Sequence, residues 1–182
     1  MDTEAVTRDA LAARDGDQAA AAQFVRATQA DVWRLAANLG GREVADDLTQ
    51  ETYLRAFRAL PRFAGRSSAR TWLLVIARRT CADHVRGAVR ERRRPPAEVP
   101  APAPDVSDGV ALRALLAGLA EHRREAFVLT QLLGLSYAEA ATVCGCPIGT
   151  VRSRVARARE DLVRAMEPEQ ERRAAGRGPA AR

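Results

Sequence analysis

The sequence predicts an all-α protein made of two small helical domains, and three observations carry that expectation. Apolar residues recur every three to four positions in one stretch after another between Phe24 and Leu162, the period of a helix that buries one face. Near mid-chain, Pro95, Pro96, Pro100, Pro102 and Pro104 break the pattern and forbid helix. The last periodic stretch reads as two short helices around a tight glycine turn. The expected layout is a domain over residues 1–94, a Pro-rich flexible linker over 95–109, a second domain over 110–166 and a disordered tail over 167–182.

Taken in order, the first helix is expected from about Gly16 to Leu39, with Phe24, Thr28, Val32, Leu35 and Leu39 inward, Trp33 in the core, and Gly40-Gly41 ending it. A second begins at Val44. Its broad buried face holds Leu48, Thr52, Tyr53, Ala56, Phe57 and Leu60, while Asp47, Gln50, Glu51 and Leu54 line a polar face. A leucine on such a stripe points to a docking surface. A loop from Pro61 to Arg70 then carries Phe63, Gly65, Ser67 and Ser68 among three arginines.

The helix after it turns Leu73, Ile76, Ala77, Thr80 and His84 inward and Arg79, Asp83, Arg86 and Arg90 outward. An arginine-rich helix beside a small-residue loop with an aromatic suits nucleic acid, through phosphate contact and stacking. Beyond the linker, Leu112, Leu115, Leu116 and Leu119 begin the second domain, and a helix from about Glu121 to Leu133 stops at Gly134.

From Ser136 to Leu162 the chemistry is that of a helix-turn-helix. Ser136 and Glu139 have capping-box spacing. Gly145 sits in the turn and Pro147 near the start of the next helix. Val151, Val155, Ala158 and Leu162 form the buried stripe, so Thr150, Ser153, Ala156 and Arg157 point away, with Arg152 and Arg154 on the flanks. Small polar groups and guanidiniums facing outward are what a major-groove reader needs.

Charge agrees with a polyanionic partner. The chain carries +6, and every one of its 29 basic residues is arginine. Residues 1–61 have a net charge of −3, residues 62–94 of +8, and the remainder is near neutral. Cys81, Cys144 and Cys146 are odd in number and sit in helical patterns, so they read as small buried hydrophobes. The Cys-Gly-Cys pair with His122 lacks a second ligand pair for a metal. No nucleophile–base pair or phosphate-cradling glycine loop stands out, so neither an enzyme nor a cofactor is expected. With no signal segment or long apolar run, the expected location is the cytoplasm.

Three segments, ADDLTQETYLRAF, SSARTWLLVIARRTCADHVR and LTQLLGLSYAEAATVCGCPIGTVRSRVARAR, occur in that order across the prolines. Together they resemble bacterial RNA polymerase sigma factors of the extracytoplasmic-function (ECF) type, in the SigC-like group of the sigma-70 family. The resemblance implies two helical domains, regions 2 and 4. Its implied partners are the polymerase core (the coiled coil of the largest subunit, and the flap), promoter DNA, and an anti-sigma factor, with no membrane. By position, Asp47, Leu48, Gln50, Glu51 and Leu54 match the core-docking helix. Phe63, Ser67 and Ser68 match the loop that captures an unstacked base of the −10 element, and Arg78, Arg79, Asp83 and Arg86 the helix beside its upstream duplex. Thr150, Arg152, Ser153, Ala156 and Arg157 match the −35 reader, with Arg154 flanking it. Ala156 is small where many relatives carry bulk, and Thr130 stands where some carry a basic residue. The alternative from another class is a free-standing helix-turn-helix repressor that binds operators as a homodimer.

Overall fold

The computed structural model describes residues 2–92 and 108–166, and the regular structure among them is entirely helical. The first helix, α1 (Thr3–Arg14), is absent from the sequence expectation. Asp2 caps it, its carboxylate accepting from the backbone N–H groups of Glu4 and Ala5 at 3.0 and 3.1 Å. Its buried residues are only Val6 and Ala10, which is why the apolar period is faint. Helix α2 (Gln18–Leu39) starts behind a second aspartate cap, Asp17, and buries Phe24, Thr28, Val32 and Leu35. Trp33 lies at the margin of the core, its Nε1 donating to Asp46 at 2.8 Å.

Helix α3 (Ala45–Ala59) follows a short 3₁₀ turn and buries Leu48, Thr52 and Ala56. Gly40 permits the close approach: a Cβ there would meet Leu48 Cδ1 at 2.3 Å. Phe57, expected inside, is 40% exposed. Nine residues at 100° each set it half a turn from Leu48, and its ring instead lies 6.4 Å from that of Tyr53. Helix α4 (Ala69–Arg92) starts from Ser68, whose Oγ accepts from the Thr71 N–H at 3.1 Å. Leu73, Ala77 and Thr80 are buried as expected.

The second module opens with α5 (Asp108–Ala117), two residues earlier than expected. Helix α6 (Glu121–Phe127) runs on through a π turn over Val128–Leu132, closed by Gly134 at φ 67°. Helices α7 (Tyr137–Cys144) and α8 (Ile148–Met166) form the helix-turn-helix.

The modules pack directly on each other. Helix α4 lies against α7, α2 touches α5 and α6, and one apolar core contains both Leu73 and Leu74 of α4 and Val143 and Val151 of the second module. Arg70, 12% exposed at its side chain, pairs with buried Asp31 at 2.7 Å and donates to the Leu133 carbonyl across the seam. The two modules thus share one apolar core across their seam. Residues 93–107 and the tail over 167–182 lie outside the described residues.

Candidate nucleic-acid interface

The helix-turn-helix is built as its residues dictate. The Ser136 N–H donates to Glu139 Oε2 at 2.9 Å and the Glu139 N–H returns a bond to Ser136 Oγ at 3.2 Å, a complete capping box. The Ser136 hydrogen bond leads in holding the Glu139 carboxyl below its ordinary range. Gly145 takes φ 64°, a left-handed position that costs glycine little, and turns the chain into α8. Val151, Val155 and Ala158 are sealed inside.

The opposite face of α8 is open. Arg152, Ser153, Ala156 and Arg157 are exposed and Thr150 and Arg154 half-buried. Three of the arginines are already oriented. Arg152 lies 5.9 Å from the centre of the Tyr137 ring, Arg154 donates to Cys146 Sγ at 3.6 Å, and Arg159 donates to Gln131 Oε1 at 2.8 Å. No spacing in the sequence marks Tyr137 or Gln131 as partners of these arginines. Thr130 turns its hydroxyl back to the Ala126 carbonyl at 2.8 Å.

The loop before α4 is clamped from both sides. Arg14 donates to the Phe63 carbonyl at 3.1 Å, and the Ala69 N–H donates to Thr7 Oγ1 at 3.1 Å. Phe63 is buried, its ring 4.8 Å from that of Trp72, and Ser68 serves as a cap, so neither offers itself freely to a base. Ser67 is exposed. Beside it an open cleft of about 460 Å³ is lined by Gly65, Arg66, Ser67 and Ser68 together with Thr7, Arg8 and Leu11 of α1, a contribution hidden with that helix.

On α4, Arg79 and Arg86 are exposed, while Arg78 forms an ion pair with buried Glu125 of α6. Asp83 accepts from Arg55 at 2.7 Å and from Arg86 at 2.5 Å, and the Arg55 bond leads in lowering its pKa. Arg55 also donates to Glu51 at 2.7 Å, so one guanidinium ties the polar stripe of α3 to α4. Its spacing of four from Glu51 is the signal that marks it. On that stripe Asp47 and Gln50 are exposed, Glu51 is half-buried and Leu54 is 47% exposed. Leu48 points inward.

Cys81 and Cys144 are buried thiols, raised by burial to about 11 and about 12. Among the described residues no group of three or more His, Cys, Asp or Glu is placed to hold a metal ion, and no helix is long and apolar enough to cross a membrane.

Comparison with known proteins fits this geometry. Residues 24–91 match the model of Sigma-70 region 2, and residues 109–162 that of Sigma-70, region 4. The chain is 52% identical to the ECF RNA polymerase sigma factor SigC of Mycobacterium tuberculosis over 92% of its length and 95% of the relative. It is 35% identical to the RNA polymerase sigma-H factor of Pseudomonas aeruginosa, covering 68% and 74% of the two chains. Among solved structures it is similar to the sigma factor RpoE in complex with the anti-sigma factor NepR from Bartonella quintana. That likeness has a TM-score of 0.68 and 31% identity, covering 77% of this chain and 92% of the other. It is also similar to CnrH in complex with the cytosolic domain of CnrY, with a TM-score of 0.72 and 28% identity over 89% and 97%.

Proposed function

This chain belongs to the ECF sigma factors of the sigma-70 family, and from that premise we propose how its surfaces divide the work of transcription initiation. It binds RNA polymerase core, recognises the −35 and −10 promoter elements, and supports promoter opening in the cytoplasm. The polymerase does the chemistry, and this chain supplies binding energy only.

Asp47, Gln50, Glu51 and Leu54 dock on the coiled coil of the largest subunit, with Leu48 supporting them from beneath. Exposed Val163 and Met166 at the end of α8 face the flap. Thr150, Arg152, Ser153, Ala156 and Arg157 read the −35 duplex while Arg154 meets phosphate. Arg79, Arg86 and Arg78 hold the upstream −10 duplex, with Asp83 positioning Arg86. The cleft at Gly65–Ser68 takes a base once it leaves the stack. Extruding a base costs a few kcal/mol, which a fitted cleft offsets. Phe63 shapes the loop from inside rather than stacking on that base. An anti-sigma factor, of the kind bound to the Bartonella quintana neighbour, is a further partner.

The observation that carries this reading is the pairing, in one chain, of an exposed, arginine-bearing α8 face with a polar α3 stripe centred on exposed Leu54. A homodimeric repressor has a use for the first and none for the second. Size-exclusion chromatography with purified core polymerase separates them. Co-elution with core and a monomer alone support the sigma reading, whereas a core-free homodimer that binds operator DNA would replace it.

A further inference from the structure

We propose that the groove between α2 and α5 binds a small amphiphilic carboxylate, a molecule with one anionic head and an apolar body. Two adjoining cavities of about 240 and about 310 Å³ lie here and share Ala37, Asn38, Arg42, Arg113 and Leu116. This is the size of a small-ligand site, and a seam between modules is a common place for one.

The walls differ in character. One is apolar, formed by Trp33, Leu112, Leu116 and Leu132, and Leu112 is 45% exposed. The other gathers Arg34, Arg42, Arg113 and Arg124, and no aspartate or glutamate lines either cavity. Arg34 leans on Asp31 at 3.7 Å. Arg42, Arg113 and Arg124 have no carboxylate partner among the described residues; the Arg42 guanidinium lies over the Trp33 ring, 5.9 Å from its centre, and the Nε of Arg124 is buried without a hydrogen bond. The C-terminal end of α2 borders the larger of the two cavities, but a helix end supplies only about half a negative charge against three cations. The need for an anion therefore centres on half-buried Arg113 and Arg124, since Arg34 and Arg42 are exposed to solvent.

The shape selects the class of anion. Neither the exposed face of α8 nor the loop at Gly65–Ser68 lines these cavities, so the groove is separate from the promoter-facing surfaces. A bare phosphate would leave the Trp33–Leu112–Leu116–Leu132 wall wet, and a neutral hydrocarbon would leave the guanidiniums unanswered. A carboxylate head on Arg113 and Arg124 with its tail on the leucines satisfies both. Touching α2 and α5 at once, the ligand ties the two modules together.

Decanoate is the probe. The chain has two tryptophans, so Trp72→Phe leaves Trp33 as the sole indole reporter. Titration with decanoate is expected to shift Trp33 emission saturably, and calorimetry on the unmodified chain to give the same affinity. Decanol, of equal length but uncharged, is expected to bind at least tenfold more weakly. Arg113→Glu, on a half-buried side chain, and Leu112→Asp, on an exposed one, are expected to weaken decanoate at least tenfold while the far-ultraviolet circular dichroism spectrum of the free chain is kept. Absence of saturable binding, equal binding of decanol, or binding undiminished in Arg113→Glu overturns the proposal. So does an acidic amphipathic peptide that shifts Trp33 where decanoate does not, since the groove would then be a protein-docking surface.

Discussion

Arg78 of α4 and Glu125 of α6 stand 47 residues apart in the chain and form an ion pair across the seam between the two modules. Glu125 is 4% exposed, so its charge is compensated chiefly by this one guanidinium. Arg78 is also one of the arginines proposed to hold the −10 duplex. The closed arrangement and the DNA-bound one thus compete for the same side chain.

Glu125→Gln keeps the shape and removes the charge. Losing one partner of a fully buried pair costs about 3–5 kcal/mol, but the Arg78 side chain is 31% exposed and recovers water. The expected loss in urea unfolding is about 2 kcal/mol. Binding of the free chain to −10 duplex should rise several-fold in a gel-shift titration. Unchanged affinity would mean that Arg78 has no part in the duplex contact.

The docking stripe tests independently of DNA. Leu54 and Gln50 are exposed, so Leu54→Arg with Gln50→Arg should leave the circular dichroism spectrum intact and shift stability by about 0.5 kcal/mol or less. Pull-down of core polymerase should be lost. A folded double variant that retains core removes the α3 stripe from the interface.

On α8, base and phosphate contacts should separate. Arg157→Ala and Arg152→Ala should each cost roughly 1–3 kcal/mol on the cognate −35 sequence and relax preference at one position. Arg159, held by Gln131, should on truncation weaken all promoters alike and reduce the salt slope by about one unit. Selection from a randomised upstream element at two salt concentrations distinguishes the two patterns.

The thiols give a pH test. Cys81 and Cys144 are raised from 9.0 to about 11 and about 12, so the folded state favours their protonated form. That contribution to stability is fully present below pH 9 and is lost as pH rises towards 11–12. At pH 8, iodoacetamide should modify half-buried Cys146 in the native chain and all three cysteines only after unfolding. Mass spectrometry reads the count, and fast native labelling of Cys144 would contradict the burial.

What the residues alone disclosed follows from how much of each signal is local. The capping box at Ser136, the left-handed glycine at 145 and the stripe Val151–Val155–Ala158 depend on neighbours within a few positions, so the helix-turn-helix was fully legible. Helix α1 escaped because its fully buried residues are only Val6 and Ala10, with Leu11 and Ala13 partly buried beside them. Phe57 was misplaced because a broad apolar face hides which members sit half a turn away. The Arg78–Glu125 pair, the Arg70 latch to Asp31 and Leu133, and the groove at Arg113 and Arg124 join distant segments, and no spacing in the chain announces them.

The central claim is that this chain converts core polymerase into a promoter-specific enzyme. The direct measurement is in-vitro transcription with purified core on a promoter library, with and without the protein. The account predicts discrete transcripts from a subset sharing −35 and −10 elements, present only when both components are added and lost with Leu54→Arg/Gln50→Arg. Transcription that is unchanged by adding the protein, or repression of promoters that core complexes already use, would contradict it.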